Sequence, residues 1–520
     1  MMSRKLIAQV AIPLVLLLHD AAGQTPSTPD SSLRAILNEL KGTSLSLQEA
    51  TQGAVKNATS VRKAEAVYLA ASGSTRRESG QFDPNLFFNL NYLDQKSPTA
   101  SFFSGAPTLA TQQTTSRTGV RMNLSIGTQL ELGLNTNKLS TNSSFAFLNP
   151  EYDAFGSLTL RQPLLGGFAV SARKQLTKSE RELDAAKARY DQALLAIETD
   201  VERSYWDLYA AERDYAVQKL TRDRAEAFLK ETELRARAGL VGPNQVANAR
   251  TFLAQQKIQF LEREEELDRQ SDQLASLIGI RPGPGMQRFI PTDEPSSNYP
   301  LDSVDALVEY ALKHNLDLQA TAQDIEAQRA LAKAAGWEAL PSVDFVGSIG
   351  GSGLSGTPQD VTFSNDTLRT TRSGSLGRAI SQVSTREFPN WSVGVQLTIP
   401  IGFRSGLGEE DRLEANVLQE EQRYIEQSRA LADQVRSTCR ELSNGKSRLE
   451  AARDGVEAAQ EQVRIGLIEY RNGRLTAFEL TRLGEDFAAS QQQYSAALVR
   501  TAKAAATLRQ LTSGRYQTNH

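Results

Sequence analysis

From Phe168 to Ala238 the chain carries neither a glycine nor a proline. No other feature limits the fold so tightly. Apolar Leu183, Tyr190, Leu194, Ile197, Val201, Tyr205 and Leu208 recur at heptad-like spacing along this run, the pattern of helices that pack along a seam. At about 1.5 Å per residue, one unbroken helix here reaches roughly 100 Å. An ordinary globular domain has no use for such a helix, so the spacing predicts a rod-like architecture.

The run ends in "RARAGLVGPNQVANA" at 235–249, and a second long run ends in "EYRNGRLTAFELTRL" at 469–483. With Gly239 laid on Gly473, Arg237 falls on Arg471, Val246 on Leu480, Leu253 on Phe487 and Phe260 on Tyr494. Each glycine follows a helix-like run, where a left-handed residue suits glycine best. Three further pairs of markers occur in the same order. "LQEATQGAVKNATSV" (47–61) lies over "VEYALKHNLDL" (308–318), Pro84 over Pro341, and "LRQPLLGGF" (160–168) over "LTIPIGF" (397–403). An ordered set of matches is the mark of one duplicated unit.

Repeat 1 therefore spans 24–279, with helices expected at about 45–80, 171–238 and 243–279 and strands at about 82–165. A Pro-, Gly- and Ser-rich linker covers 280–300. Repeat 2 spans 301–514, with helices at about 301–338, 408–472 and 476–512 and strands at about 341–401, before a tail at 515–520. Gly445, Gly455 and Gly466 interrupt the second long run, at about 1 kcal/mol each relative to alanine, and a bend is expected there.

The strand regions alternate with period two. Leu86, Phe88, Leu90 and Tyr92 oppose Phe87, Asn89 and Asn91, and Val120 and Met122 oppose Arg121 and Asn123. Trp391, Val393, Val395 and Leu397 oppose Ser392, Gly394 and Gln396. Such alternation fits a half-wet soluble sheet or a membrane barrel with a greasy outside. Long Ser-, Thr- and Gly-rich connections separate the strands, as on the outer face of a barrel. Residues 116–138 read as one bent or extended strand, the other possibility being a hairpin at Gly127-Thr128.

Residues 1–23 pair Arg4 and Lys5 with an apolar stretch and small residues near Gly23, the layout of a secretory signal peptide. An exported chain with long helices turns the strand pattern toward the membrane barrel. Formal net charge is -3, with no basic stripe that would suit nucleic acid. The single cysteine, Cys439, and the three histidines leave no thiolate metal cluster, no Ser/His/Asp triad and no metal or cofactor motif. Glu264, Glu265 and Glu266 read as a solvated helix face. The chain reads as a conduit, not an enzyme. The reading from another class is an exported coiled-coil scaffold or adhesin.

The duplicated plan behind a signal peptide resembles the TolC family of bacterial outer-membrane efflux factors over about 34–514. That resemblance implies an α+β membrane protein that assembles as a homotrimer. Each protomer would give four strands to a shared twelve-stranded outer-membrane β-barrel, continued by a periplasmic α-helical barrel. The channel would passively export substrates delivered by an inner-membrane pump (RND, ABC or MFS type) and a periplasmic adaptor, the membrane fusion protein. A type I protein secretion conduit is the alternative. Four strands cannot close in lipid alone, which also calls for several copies.

The resemblance places the glycine turns at the periplasmic tip, facing the adaptor. Arg235, Arg237, Gly239, Leu240, Arg471, Gly473 and Arg474 are the candidate docking residues. The family's closed aperture implies a gate near the second turn, and Gln245, Tyr470, Glu479 and Arg482 are its candidates. Tyr470 and Glu479 match family positions. Leu475 stands where an arginine is expected, Arg482 where an acid is, and Gln245 where an aspartate is. A different latch is expected, either a local Glu479–Arg482 pair or a hydrogen bond from Tyr470 to Gln245.

Overall fold

The computed structural model describes residues 31–363 and 366–514, so the expected signal peptide and the 515–520 tail lie outside the described residues. A short helix α1 (Ser31–Asn38) precedes a three-residue strand β1 (Thr43–Leu45). The expected helix at 45–80 is two helices, α2 (Leu47–Asn57) and α3 (Thr59–Ser79), which meet at Ala58. Ser46 opens α2 with a capping box to Glu49, which satisfies two end groups that lack helical partners. Ala58 has extended backbone, and its N–H still donates to Ala54.

Four strands follow: β2 (Asn85–Pro98), β3 (Thr108–Asn123), β4 (Gln129–Thr141) and β5 (Leu148–Pro163). The 116–138 stretch is thus a hairpin, not one extended strand. The Leu124 N–H donates to the Thr128 carbonyl and the Gly127 N–H to the Leu124 carbonyl, both at 2.8 Å. Gly127 takes φ 89, a conformation open to glycine. The hairpin is the second of the two sequence readings, which the strand-like alternation on both sides makes the less favoured.

The long helix α4 (Ala169–Arg237) and its shorter partner α5 (Pro243–Ile278) complete the first repeat. The linker is not wholly irregular, because β6 (Phe289–Pro291) pairs in parallel with β1. Repeat 2 begins with α6 (Val304–His314) and α7 (Leu316–Glu338), again two helices where 301–338 reads as one. They meet at Asn315, whose φ/ψ of -63/127 reproduces the -61/130 of Ala58. The remaining elements are β7 (Ser342–Pro358), the small hairpin β8 (Val361–Phe363) and β9 (Asp366–Leu368), α8 (Leu376–Thr385), β10 (Phe388–Thr398), α9 (Arg404–Arg471) and α10 (Ala477–Leu511).

Six strands, not four, form the large antiparallel sheet, in the order β10-β7-β5-β4-β3-β2. Its register places Leu86, Val120, Leu132, Leu158, Ile349 and Trp391 opposite one another in a single row across all six strands. All six are exposed. The adjacent row on the other face reads Asn85, Arg121, Glu131, Thr159, Ser348 and Ser392. There Glu131 is paired with Arg117 at 2.6 Å and Arg121 at 2.7 Å. Helix α8 lies on the apolar face, where Gly156, Gly351 and Gly353 leave room for it.

The helical core sits where the long helices meet their partners. Val201, Tyr205, Trp206 and Leu208 of α4 are buried with Leu267, Leu274 and Ile278 of α5 and Leu498 and Ala502 of α10. Each fully buried leucine contributes about 2 kcal/mol. In repeat 2, Leu431, Val435, Cys439 and Leu442 of α9 pack with Leu307, Leu318 and Leu508. The α9 helix is continuous through its glycines. Gly445 and Gly466 instead mark close helix approaches, since an added Cβ would lie 2.8 Å from Thr501 and 2.5 Å from Leu483.

Candidate functional site

The two glycine turns fold identically. At the first, the Gly239 N–H donates to Ala236 at 3.0 Å and the Leu240 N–H to Arg235 at 2.9 Å. At the second, Gly473 donates to Tyr470 at 3.0 Å and Arg474 to Glu469 at 2.9 Å. This paired pattern closes the carbonyl ends of α4 and α9 and requires a left-handed residue, here at φ 75 and φ 74. An added Cβ at either glycine would meet nothing within 4 Å. Both turns are therefore open to approach.

The next helices start differently. Gly242 and Pro243 begin α5, with proline where no N–H is needed. Thr476 begins α10 in a capping box with Glu479. Bonds from the Thr476 N–H and then its hydroxyl hold the Glu479 carboxyl below the usual carboxylate range. Glu479 is thus occupied at the helix start, and the expected pair with Arg482 gives way to that cap. The Arg482 side chain is exposed.

Tyr470 is buried at 3% exposure, one turn before Gly473. Its hydroxyl partner is Thr232 at 3.4 Å, not Gln245. The Thr232 hydroxyl already donates to the Phe228 carbonyl at 2.8 Å, so the Tyr470 hydroxyl is left as donor to Thr232. Phe228 packs against the Tyr470 ring at 5.5 Å, and Leu480 and Leu475 complete the cluster. Leu475, standing where an arginine is expected, contributes apolar packing. Gln245 is half-buried, and its N–H donates to Gly242 at 3.1 Å.

Arg235 supplies the missing guanidinium from the other repeat. It lies over the Tyr470 ring at 4.4 Å, donates to the Tyr470 carbonyl at 3.3 Å, and pairs with Glu231 at 3.0 Å. Of the expected docking residues, Arg235 is turned inward and half-buried, while Arg237, Gly239, Leu240, Arg471, Gly473 and Arg474 are exposed. Glu231, Thr232 and Phe228 escaped the sequence reading. They lie on α4 two to three turns before Gly239; Thr232 and Phe228 meet Tyr470 far away in the chain, and Glu231 meets Arg235 one turn on.

At the other end, the sheet face that carries the apolar row extends from Phe345 to the row that joins Tyr92, Thr114, Lys138, Tyr152 and Ser355. That is ten residue steps along β7, or about 25 Å of height for strands tilted by about 40°. A lipid-facing band with aromatic edges has this height. Among the described residues no helix is long and apolar enough to cross a membrane.

The sequence profile described as outer membrane efflux protein matches residues 110–280 and 307–514. No curated protein matches the chain in sequence. Among solved structures, the outer-membrane channel OprN superposes with a TM-score of 0.64 at 16% identity, over 94% of this chain and 92% of that one. The Campylobacter jejuni CmeC outer membrane channel gives 0.62 at 13%, over 100% and 95%. The open state of the Neisseria gonorrhoeae MtrE outer membrane channel gives 0.61 at 15%, over 91% of each.

Proposed function

Because the chain belongs to the outer membrane efflux protein family, we propose that its two glycine turns are the adaptor-docking tip and that Tyr470 is the centre of its periplasmic gate. The protein is an outer-membrane efflux channel, not an enzyme, with a helical tunnel in the periplasm. Channels of this family work as homotrimers with periplasmic adaptors and inner-membrane pumps. The exported scaffold or adhesin is not favoured.

The observation that carries the gate is the joining of α4 to α9 through Arg235 and Tyr470. This contact links the tips of the two repeats, so moving one relative to the other must break it. Glu231 orients Arg235, and Thr232 holds the Tyr470 hydroxyl. Arg482 and Gln245 act, in this reading, as polar lining beside the latch. The docking surface rests on two side-chain-free turns flanked by exposed Arg237, Leu240, Arg471 and Arg474. An adaptor hairpin can approach such backbone closely.

Gly473→Asp tests the tip. The variant is expected to insert as a heat-sensitive trimer and to lose cross-linking to its adaptor, together with export. Export and cross-linking equal to wild type would remove Gly473 from the docking surface.

A further inference from the structure

We infer that the hairpin of β3 and β4 is part of the barrel wall, so that three copies close an eighteen-stranded barrel, six strands from each. The inference rests on the trimeric outer-membrane reading above and concerns the width of its pore. Three observations carry it.

The first is parity. The strands alternate in direction from β2 through β3, β4, β5 and β7 to β10, every neighbouring pair being antiparallel. Inserting two strands preserves that alternation, so β10 of one copy still meets β2 of the next antiparallel. Among the described residues both edges are without a strand partner in the single chain, and lipid tolerates no open edge.

The second is chemistry. Val120 and Leu132 of the hairpin continue the apolar row begun by Leu86 and ended by Trp391. Arg121 and Glu131 continue the polar row behind it. A hairpin folded away from the wall would leave one of these faces in the wrong solvent. Its turn is also built into the junction: Ala169, the first residue of α4, donates its N–H to the Ile126 carbonyl at 3.2 Å.

The third is size. Four helices of each chain adjoin the sheet, and they pack in the order α3, α4, α7, α9. Twelve helices spaced about 9–10 Å apart form a ring of about 110 Å circumference. Eighteen strands about 4.8 Å apart and tilted by about 40° form a ring of about 110 Å, whereas twelve form one of about 75 Å. At that tilt the eighteen-strand ring matches the helical ring in circumference. At the same tilt the backbone diameter is about 24 Å for twelve strands and about 35 Å for eighteen, so the hairpin widens the outer-membrane section.

The test images full-length trimers in lipid nanodiscs by electron cryomicroscopy. Eighteen strands in the wall are expected. Trimers with twelve strands and a displaced hairpin overturn this inference and leave the proposed function standing. Absence of any membrane-inserted trimer overturns both. A second measurement uses cysteine pairs in a Cys439→Ser background. Asn91 faces Thr115 on the neighbouring strand, whereas Asp153 lies three strands away, at about 14 Å. Disulfides need Cα atoms within about 7 Å. Asn91→Cys with Thr115→Cys is expected to oxidise at least about tenfold more completely than Asn91→Cys with Asp153→Cys. The opposite ranking overturns the inference.

Discussion

Arg235 and Tyr470 lie far apart in sequence yet link the two tips. Stacking and a hydrogen bond of this kind contribute about 1–2 kcal/mol together. Arg235→Ala is therefore expected to raise the open fraction of the closed channel by roughly tenfold. Single-channel conductance of purified trimers measures this, and Arg235→Lys should fall between because it keeps the charge without the planar fork. Unchanged conductance in the alanine variant would free the gate from Arg235. Glu212 makes a separate test. Burial pushes its carboxyl up to about 7, against the opposing pull of Arg213. The folded protein then holds a proton that the unfolded chain releases near 4.5. Stability accordingly falls as pH rises from about 4.5 to about 7 and levels off above, by up to about 3 kcal/mol. Glu212→Gln is expected to flatten this slope and to raise Tm at pH 8. Thermal melts of the trimer at pH 5 and pH 8 check it, and a slope equal to wild type would assign the effect elsewhere.

Among the elements, the two long helices were legible because their patterns are long and unbroken, and the tip turns because glycine is costly inside a helix. The breaks at Ala58 and Asn315 were not. Alanine carries no capping side chain; Asn315 does cap α7, accepting from the Asp317 and Leu318 N–H groups at 3.1 Å, a start signal that the reading of 301–338 as one helix passed over. The β3–β4 hairpin was the less favoured of two readings because its turn keeps the alternation of the strands beside it, with only Gly127 to mark it. The α9 glycines show the same limit from the other side: composition suggested a bend, whereas packing explains at least two of them. Gly445→Ala would press a Cβ to within 2.8 Å of Thr501, a stiff side chain already bonded to Ala497. A loss of about 1–2 kcal/mol is expected after the helix-propensity gain. At Gly455 a Cβ meets nothing within 4 Å, so Gly455→Ala should add about 1 kcal/mol. Chemical denaturation of the two variants compares them, and equal effects would remove the packing explanation.

For the whole molecule, order and duplication carried the fold, and residue identity carried much less of the site. The latch draws on α4 of one repeat and α9 of the other, a juxtaposition that no local pattern encodes. The same holds for the clasp between β1 and β6. The Tyr205 hydroxyl accepts the N–H groups of Thr292 at 2.9 Å and Asp293 at 3.1 Å and lies 3.0 Å from the Leu45 carbonyl. Tyr205→Phe leaves both N–H groups without that acceptor, at about 1–3 kcal/mol. Amide exchange at 289–293 is expected to accelerate while exchange at the tips stays unchanged; equal protection in the variant would show the clasp to be held by its strand pairing alone. The clasp also sets an order of events during biogenesis. Strand β1 emerges early, but its partner residues 289–291 follow only after all of α4 and α5. A contact of such separation forms late. The first repeat must therefore wait, unfastened, for the linker to arrive, and the moment of fastening is also the moment at which the second repeat begins.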